Sequence, residues 1–202
     1  MPPKPKFTKE EIVAVALELV SEKGIEALTA RELGVRLGSS ARPIFTVFNS
    51  MDEVQEAVRA AALKRFESYA EKAMHYTPVF KQVGMQMILF AMEEPKLYQL
   101  VYMSENAGAT NFESIVERLG DVAQLCVDVI QRDYGLSAED AKTLFEHVWI
   151  YTFGIGALCA TGMCQFSQEE IIQMLGQDFM AMLFYAKSGR MHMPTPTPKM
   201  EG

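Results

Sequence analysis

The stretch Ala27-Leu-Thr-Ala-Arg-Glu-Leu-Gly-Val-Arg-Leu-Gly-Ser-Ser-Ala-Arg-Pro-Ile-Phe-Thr-Val-Phe-Asn-Ser-Met-Asp-Glu-Val54 decides how this chain folds. Thr29 followed by Glu32 marks a helix start, because a hydroxyl there accepts an otherwise unpaired backbone N–H and the acid reaches back. From Thr29 to Leu37 the apolar Leu33 and Leu37 fall on one side, and Gly38 ends the helix. Ser39 or Ser40 then caps a third short helix carrying Ile44 and Phe48 inward. Pro43 is tolerated there, since the N–H groups of a first turn need no intrahelical acceptor.

Upstream, Thr8 with Glu11 opens a helix over 8–23 whose Ile12, Val13, Ala16, Leu19 and Val20 keep a helical period. Gly24 supplies a left-handed stop, with Ile25 packing behind it. Downstream, Ser50 with Glu53 starts a long helix with Val54, Val58, Ala61, Ala62, Phe66, Tyr69 and Ala73 at core spacing, running to about His75 before Pro78. Further helices are predicted at 79–92, 96–104 (opened by Pro95), 112–134 (opened by Asn111), 138–163 (Ser137 with Asp140) and 168–187 (Ser167 with Glu170). No hairpin dipeptide separates alternating runs, so the expected class is all-α with about nine helices in total.

Composition fits such a fold: of 202 residues, 49% are hydrophobic and 22% charged, enough apolar material for a sizeable core. No apolar run is long enough to cross a bilayer, and Met1-Pro2-Pro3-Lys4-Pro5-Lys6 lacks the pattern of a signal peptide, which predicts a cytoplasmic protein with no membrane partner. Cys126, Cys159 and Cys164 lie in apolar surroundings and read as reduced thiols in a reducing compartment. Their spacing matches no metal-ligand pattern, and His75, His147 and His192 do not stand beside them. The net charge of −7 is unevenly spread, with ten Lys/Arg against nine Asp/Glu in 1–65 and nine against seventeen in 66–202. The acidity therefore belongs to the later part, and the first part can bind nucleic acid if its basic groups share a face.

Two short helices joined by Gly38-Ser39-Ser40 behind a longer one have the dimensions of a helix-turn-helix with its supporting helix. In that geometry the second short helix enters the major groove and presents Ser40, Ala41, Arg42, Pro43, Phe45, Thr46 and Val47 outward. Arg42 is the best base reader, because its planar fork can donate two bonds to guanine, worth roughly 1–3 kcal/mol of discrimination. Thr46 can reach base or phosphate, and Ala41 and Pro43 offer apolar contact. Arg31, Thr29 and the N–H groups opening the second helix suit phosphate. Lys4, Lys6 and Lys9 form a candidate flexible arm.

Over 8–55 above all, the chain resembles the TetR/AcrR family of transcription regulators, on the string quoted at the outset. The resemblance implies a homodimer whose last two helices build a four-helix bundle, a ligand cavity in each C-terminal domain, and loss of operator binding when that cavity fills. It places Thr29, Arg31, Ser40, Arg42, Pro43, Phe45 and Thr46 at the double-stranded DNA of a palindromic operator, and Ser39 and Ala41 of the turn complete the expected DNA-binding set. Phe45, Val47 and Met51 depart from the tyrosine, histidine and lysine common in the family, and none can donate a side-chain hydrogen bond. Phosphate contact would then shift onto Arg31, Arg36, Arg42 and the N-terminal lysines.

These readings divide the chain into an arm and helix-turn-helix DNA-binding domain (1–50), a ligand-sensing and dimerisation domain (51–188, with 51–76 as linking helix) and a disordered tail (189–202). The second part is rich in methionine and aromatic residues, which are mostly core but also line adaptable apolar pockets. Met87, Phe90, Tyr98, Tyr102, Met103, Phe112, Cys126, Trp149 and Phe153 are the pocket candidates, for a small-molecule effector that is apolar or aromatic. Trp149 to Gly162 is apolar almost all round and so needs partners on two sides. With Gly154 and Gly156 allowing close approach, it predicts a subunit interface through Ile155, Leu158, Phe179, Met182 and Leu183. The expected function is a transcriptional regulator, a repressor released from DNA by its effector. It is not expected to be an enzyme and needs no cofactor. The competing reading is a helical small-molecule-binding protein or enzyme with the helix-turn-helix as scaffold, though no nucleophile–base pair, phosphate loop or metal cluster supports it.

Overall fold

The computed structural model describes residues 5–73, 79–104, 112, 114 and 121–189, the side chains of 79, 80 and 121 excepted. His75, Pro78, Asn111, His192, Lys4 and the expected tail beyond 189 lie outside the described residues.

Helix α1 (Lys9–Lys23) begins at a reciprocal capping box, in which the Glu11 amide donates to the Thr8 hydroxyl and the Thr8 amide to the Glu11 carboxylate. Gly24, at φ 84 and ψ 169, ends it at a positive φ that favours glycine, outside the expected left-handed helical region. Helix α2 (Ala30–Arg36) starts at Thr29, whose hydroxyl accepts from the Glu32 amide at 3.2 Å. The Glu32 carboxylate does not return to the cap; it pairs with Lys23 at 2.7 Å and ties α2 to the end of α1.

The third helix is a correction. Ile44–Thr46 form a single 3-10 turn, with no side-chain cap. Pro43 cannot donate a backbone bond, and Ile44, Thr46 and Val47 are β-branched, so nothing local drives a longer helix. The turn is held from below instead, by fully buried Ile44 and by Phe48 at 2% exposure.

Helix α3 (Met51–Ala73) follows, and then α4 (Val79–Glu93). The Glu53 amide donates to Ser50, but its carboxylate accepts from the backbone and side-chain amides of Asn49. Helix α5 (Pro95–Tyr98) passes into a π-helical turn at Gln99–Met103. Helices α6 (Asp121–Tyr134), α7 (Ala138–Ala160) and α8 (Gln168–Lys187) complete the set. Eight α-helices and no strand occur among the described residues, so the all-α class holds, with the 3-10 turn standing where a further helix was expected.

One continuous core runs from Ile12 through Val58 and Phe90 to Ala186, joining the first three elements to the rest. Helix α1 packs on both α3 and α5. Arg65 of α3 pairs with Glu18 of α1 at 2.8 Å and with Glu94 at 2.9 Å, while Ser21 donates to Glu94 at 2.6 Å. At the centre of the larger part, Tyr98 is fully buried and its hydroxyl donates to the Phe153 carbonyl. A Cβ at Gly156 would lie 2.5 Å from that hydroxyl, so this glycine serves packing inside the subunit.

Candidate nucleic-acid interface

Helix α2 and the segment leading into the Ile44–Thr46 turn pack closely against each other. Gly34 is buried in α2, and a Cβ there would stand 3.0 Å from both the Ala41 nitrogen and the Ser40 carbonyl carbon. The turn therefore lies directly across the helix, an arrangement that the string alone signals only by a glycine inside a helix. Gly38, at φ 62, reverses the chain between them.

With Ile44 and Phe48 pinned inward, Arg42, Phe45 and Thr46 project outward, and Ala41 and Pro43 are half-buried beside them. Thr46 donates its hydroxyl proton to the Pro43 carbonyl at 2.6 Å, which fixes its rotamer and leaves its oxygen as an acceptor. Arg42 and Arg31 form no salt bridge among the described residues, so both guanidinium groups keep their full donor sets. Thr29 and Ser40 are exposed and Ser39 is half-buried. The sequence-derived residues thus lie around one short turn and the adjacent start of α2.

Other cations are already committed. Arg36 chelates Glu22 through both terminal nitrogens, and this pairing lowers the Glu22 pKa and raises that of Arg36. It is therefore a poor substitute phosphate contact. Lys6 donates to Ser39 at 3.1 Å, and Lys9 lies 5.0 Å from the Phe48 ring centroid and 3.5 Å from Glu53. This part of the expected arm is docked on the turn.

The second part holds a cavity of about 220 Å³ between α3, α4, α6, α7 and α8. Met87, Cys126 and Trp149 line it, joined by Phe66, Phe179 and Met180. Burial pushes the Cys126 thiol up to about 12, so it presents a neutral wall. The other pocket candidates lie elsewhere. Phe90 and Tyr98 are solid core, Tyr102 sits edge-on to Phe66 at 5.6 Å, and Met103 is exposed. Phe153 and Phe112 back Trp149 at 5.5 and 5.6 Å. Aromatic content marks this region but does not say which ring faces a void.

The last two helices also differ in phase from expectation. Ile155 and Leu183 point into the subunit, at 5% and 7% exposure, and Leu158, Phe179 and Met182 are half-buried. The outward apolar groups are Ile150 and Tyr151 on α7 and Ile172, Met180 and Phe184 on α8, with Phe184 79% exposed. Cβ atoms added at Gly154 or Gly176 would meet nothing within 4 Å. The spacing Ile172, Gly176, Met180, Phe184 is a helical stripe that the sequence does contain. No described helix is long and apolar enough to cross a membrane, and no described group of His, Cys, Asp and Glu forms a candidate metal site.

Comparison with known proteins agrees with this geometry. The model of the family described as bacterial regulatory proteins, tetR family, matches residues 12–58, the span from α1 into α3. A solved structure from Aquifex aeolicus VF5, described as a transcriptional regulator (TerR/AcrR family), is similar at a TM-score of 0.59 and 19% identity. The match covers 87% of this chain and 99% of that one. No curated protein gives a significant match.

Proposed function

We propose that this chain, whose residues 12–58 match the model of the tetR family of bacterial regulatory proteins, is a DNA-binding transcriptional regulator of that family, a homodimeric repressor released from a palindromic operator by a small-molecule effector. The observation carrying the proposal is the Ile44–Thr46 turn, with Arg42, Phe45 and Thr46 outward and Ile44 and Phe48 locked beneath. Arg42 reads base edges, while Arg31, Thr29 and the α2 N-terminus hold phosphates. Phe45 supplies apolar contact, since it has no hydrogen-bonding group.

The exposed stripes of α7 and α8 support dimerisation, because an apolar face of that extent on a lone subunit is costly in water. A two-fold dimer puts two reading turns one helical repeat apart, roughly 34–36 Å. The largely apolar cavity supports an effector. The chain of contacts from Phe66 in its wall to Arg65, and on to Glu18 and Glu94, gives the occupied cavity a route to the reading head. Release requires the effector to bind the wrongly spaced conformer better than the DNA-bound one.

The test is selection from random duplexes at fixed salt. Enrichment of an inverted repeat with half-sites about 10 base pairs apart, or a multiple of that, is expected. Enrichment of a single unrepeated site, or of none, contradicts the dimeric reading.

A further inference from the structure

Lys81 stands where two spaces meet. It lines the interior cavity of about 220 Å³ and, with Leu175, an adjoining surface groove of about 190 Å³. Among the described residues no aspartate or glutamate lines either space, and Lys81 forms no salt bridge. In a chain of net charge −7 this is a cation at a cavity mouth with no acid among the described lining residues.

The groove side is built from amides. Gln86 is 9% exposed, and its side chain makes no hydrogen bond among the described residues; Gln82 and Gln168 stand beside it. The Gln86 amide is open to the groove, where its N–H can donate to a ligand's head group. The cavity side is apolar, with Trp149 and Phe179 in its wall and the Thr152 hydroxyl already donating to the Val148 carbonyl. A fully apolar ligand would leave Lys81 and Gln86 unserved, and a cation would meet an ammonium with no acid to offset it.

We infer that the two spaces form one site for a small amphipathic monoanion, an aliphatic or single-ring carboxylate. Its apolar body fills the cavity, and its carboxylate is held by the Lys81 ammonium and the Gln86 amide N–H. Both residues line the groove, and a carboxylate there takes charge-assisted hydrogen bonds that an alcohol or an amine does not. The volume sets the size, because pockets for drug-sized ligands run from roughly 300 to 1,000 Å³ and this cavity is smaller. The inference rests on the effector reading above and narrows it to a chemical class.

Trp149 is the chain's single tryptophan and lies in the cavity wall, so its fluorescence reports occupancy. The full chain is titrated at constant ionic strength with octanoate, 1-octanol and octylamine, each below its aggregation limit. Octanoate is expected to saturate the signal at least tenfold more tightly than 1-octanol, with octylamine weaker still. Lys81→Gln is expected to bring octanoate down to the 1-octanol level, and Gln86→Leu to weaken it severalfold. Equal affinity for acid and alcohol, unchanged octanoate affinity in Lys81→Gln, or no saturable octanoate binding overturns the inference. Operator retention measured alongside separates the two claims. Octanoate binding that is lost in Lys81→Gln but leaves the operator bound supports the anion site and contradicts effector release. Release by 1-octanol as readily as by octanoate contradicts the anion site and supports effector release.

Discussion

Gly34 and Ala41 meet backbone to backbone, so that a Cβ on Gly34 would lie 3.0 Å from the Ala41 nitrogen. The Ile44–Thr46 turn is therefore positioned by the absence of a side chain on α2. Alanine inside a helix is ordinarily favoured over glycine by roughly 0.5–1 kcal/mol, so a loss of function in Gly34→Ala must come from displacement of the turn. We expect DNA affinity to fall at least tenfold. The thermal midpoint should move by no more than about 4 °C, the shift that ~1 kcal/mol produces at this chain length. Wild-type affinity in a fluorescence-anisotropy titration would show that the turn does not depend on this contact.

The reading head shows what local sequence can and cannot specify. The boxes at Thr8 with Glu11 and Ser167 with Glu170 form as expected, because each needs only residues three apart in one turn. The element after Gly38 is different. Its Pro43 and β-branched neighbours give it no helical drive, and burial of Ile44 and Phe48 against distant residues sets its shape. On α7 the apolar residues surround the helix, so periodicity leaves the phase open, and neighbouring helices decide that Ile155 turns inward and Ile150 outward. Composition marks Tyr98 as a pocket candidate, but the missing Cβ of Gly156 leaves the space in which its ring is buried in the core.

Phe184 is the most exposed large apolar side chain described, and it closes the stripe that runs from Ile172 through Gly176 and Met180. Phe184→Asp adds a charge where the proposed partner subunit packs, and touches little in its own subunit. Sedimentation equilibrium should show the wild type as a dimer and the variant as a folded monomer with an unchanged far-ultraviolet spectrum. A variant that stays dimeric at micromolar concentration would place the interface on another face.

Asp178 on α8 has one carboxylate oxygen buried without a partner. Burial raises its pKa above the usual carboxylate value, opposed by the nearby His147. A carboxyl whose folded pKa exceeds its unfolded pKa destabilises the fold above both values, and that penalty fades as pH falls through the folded pKa. Asp178→Asn is therefore expected to raise the thermal midpoint at pH 7. Its advantage should shrink as the pH is lowered and the wild-type carboxyl takes up its proton. A variant less stable than wild type at pH 7 would mean that the charged carboxylate has a stabilising partner.

Arg42 is proposed to read bases and Arg31 to grip only the backbone, and one comparison tests this most directly. Wild type, Arg42→Ala and Arg31→Ala are each selected against the same random duplex pool, and the enriched sites are then titrated across a salt series. Arg42→Ala should lose preference at one base pair in each half-site, at a cost of roughly 1–3 kcal/mol on the preferred sequence. Arg31→Ala should weaken all sequences alike and reduce the slope of log affinity against log salt by about 1. If Arg42→Ala weakens every site uniformly and keeps the wild-type consensus, Arg42 is a phosphate contact and the account of base reading is wrong.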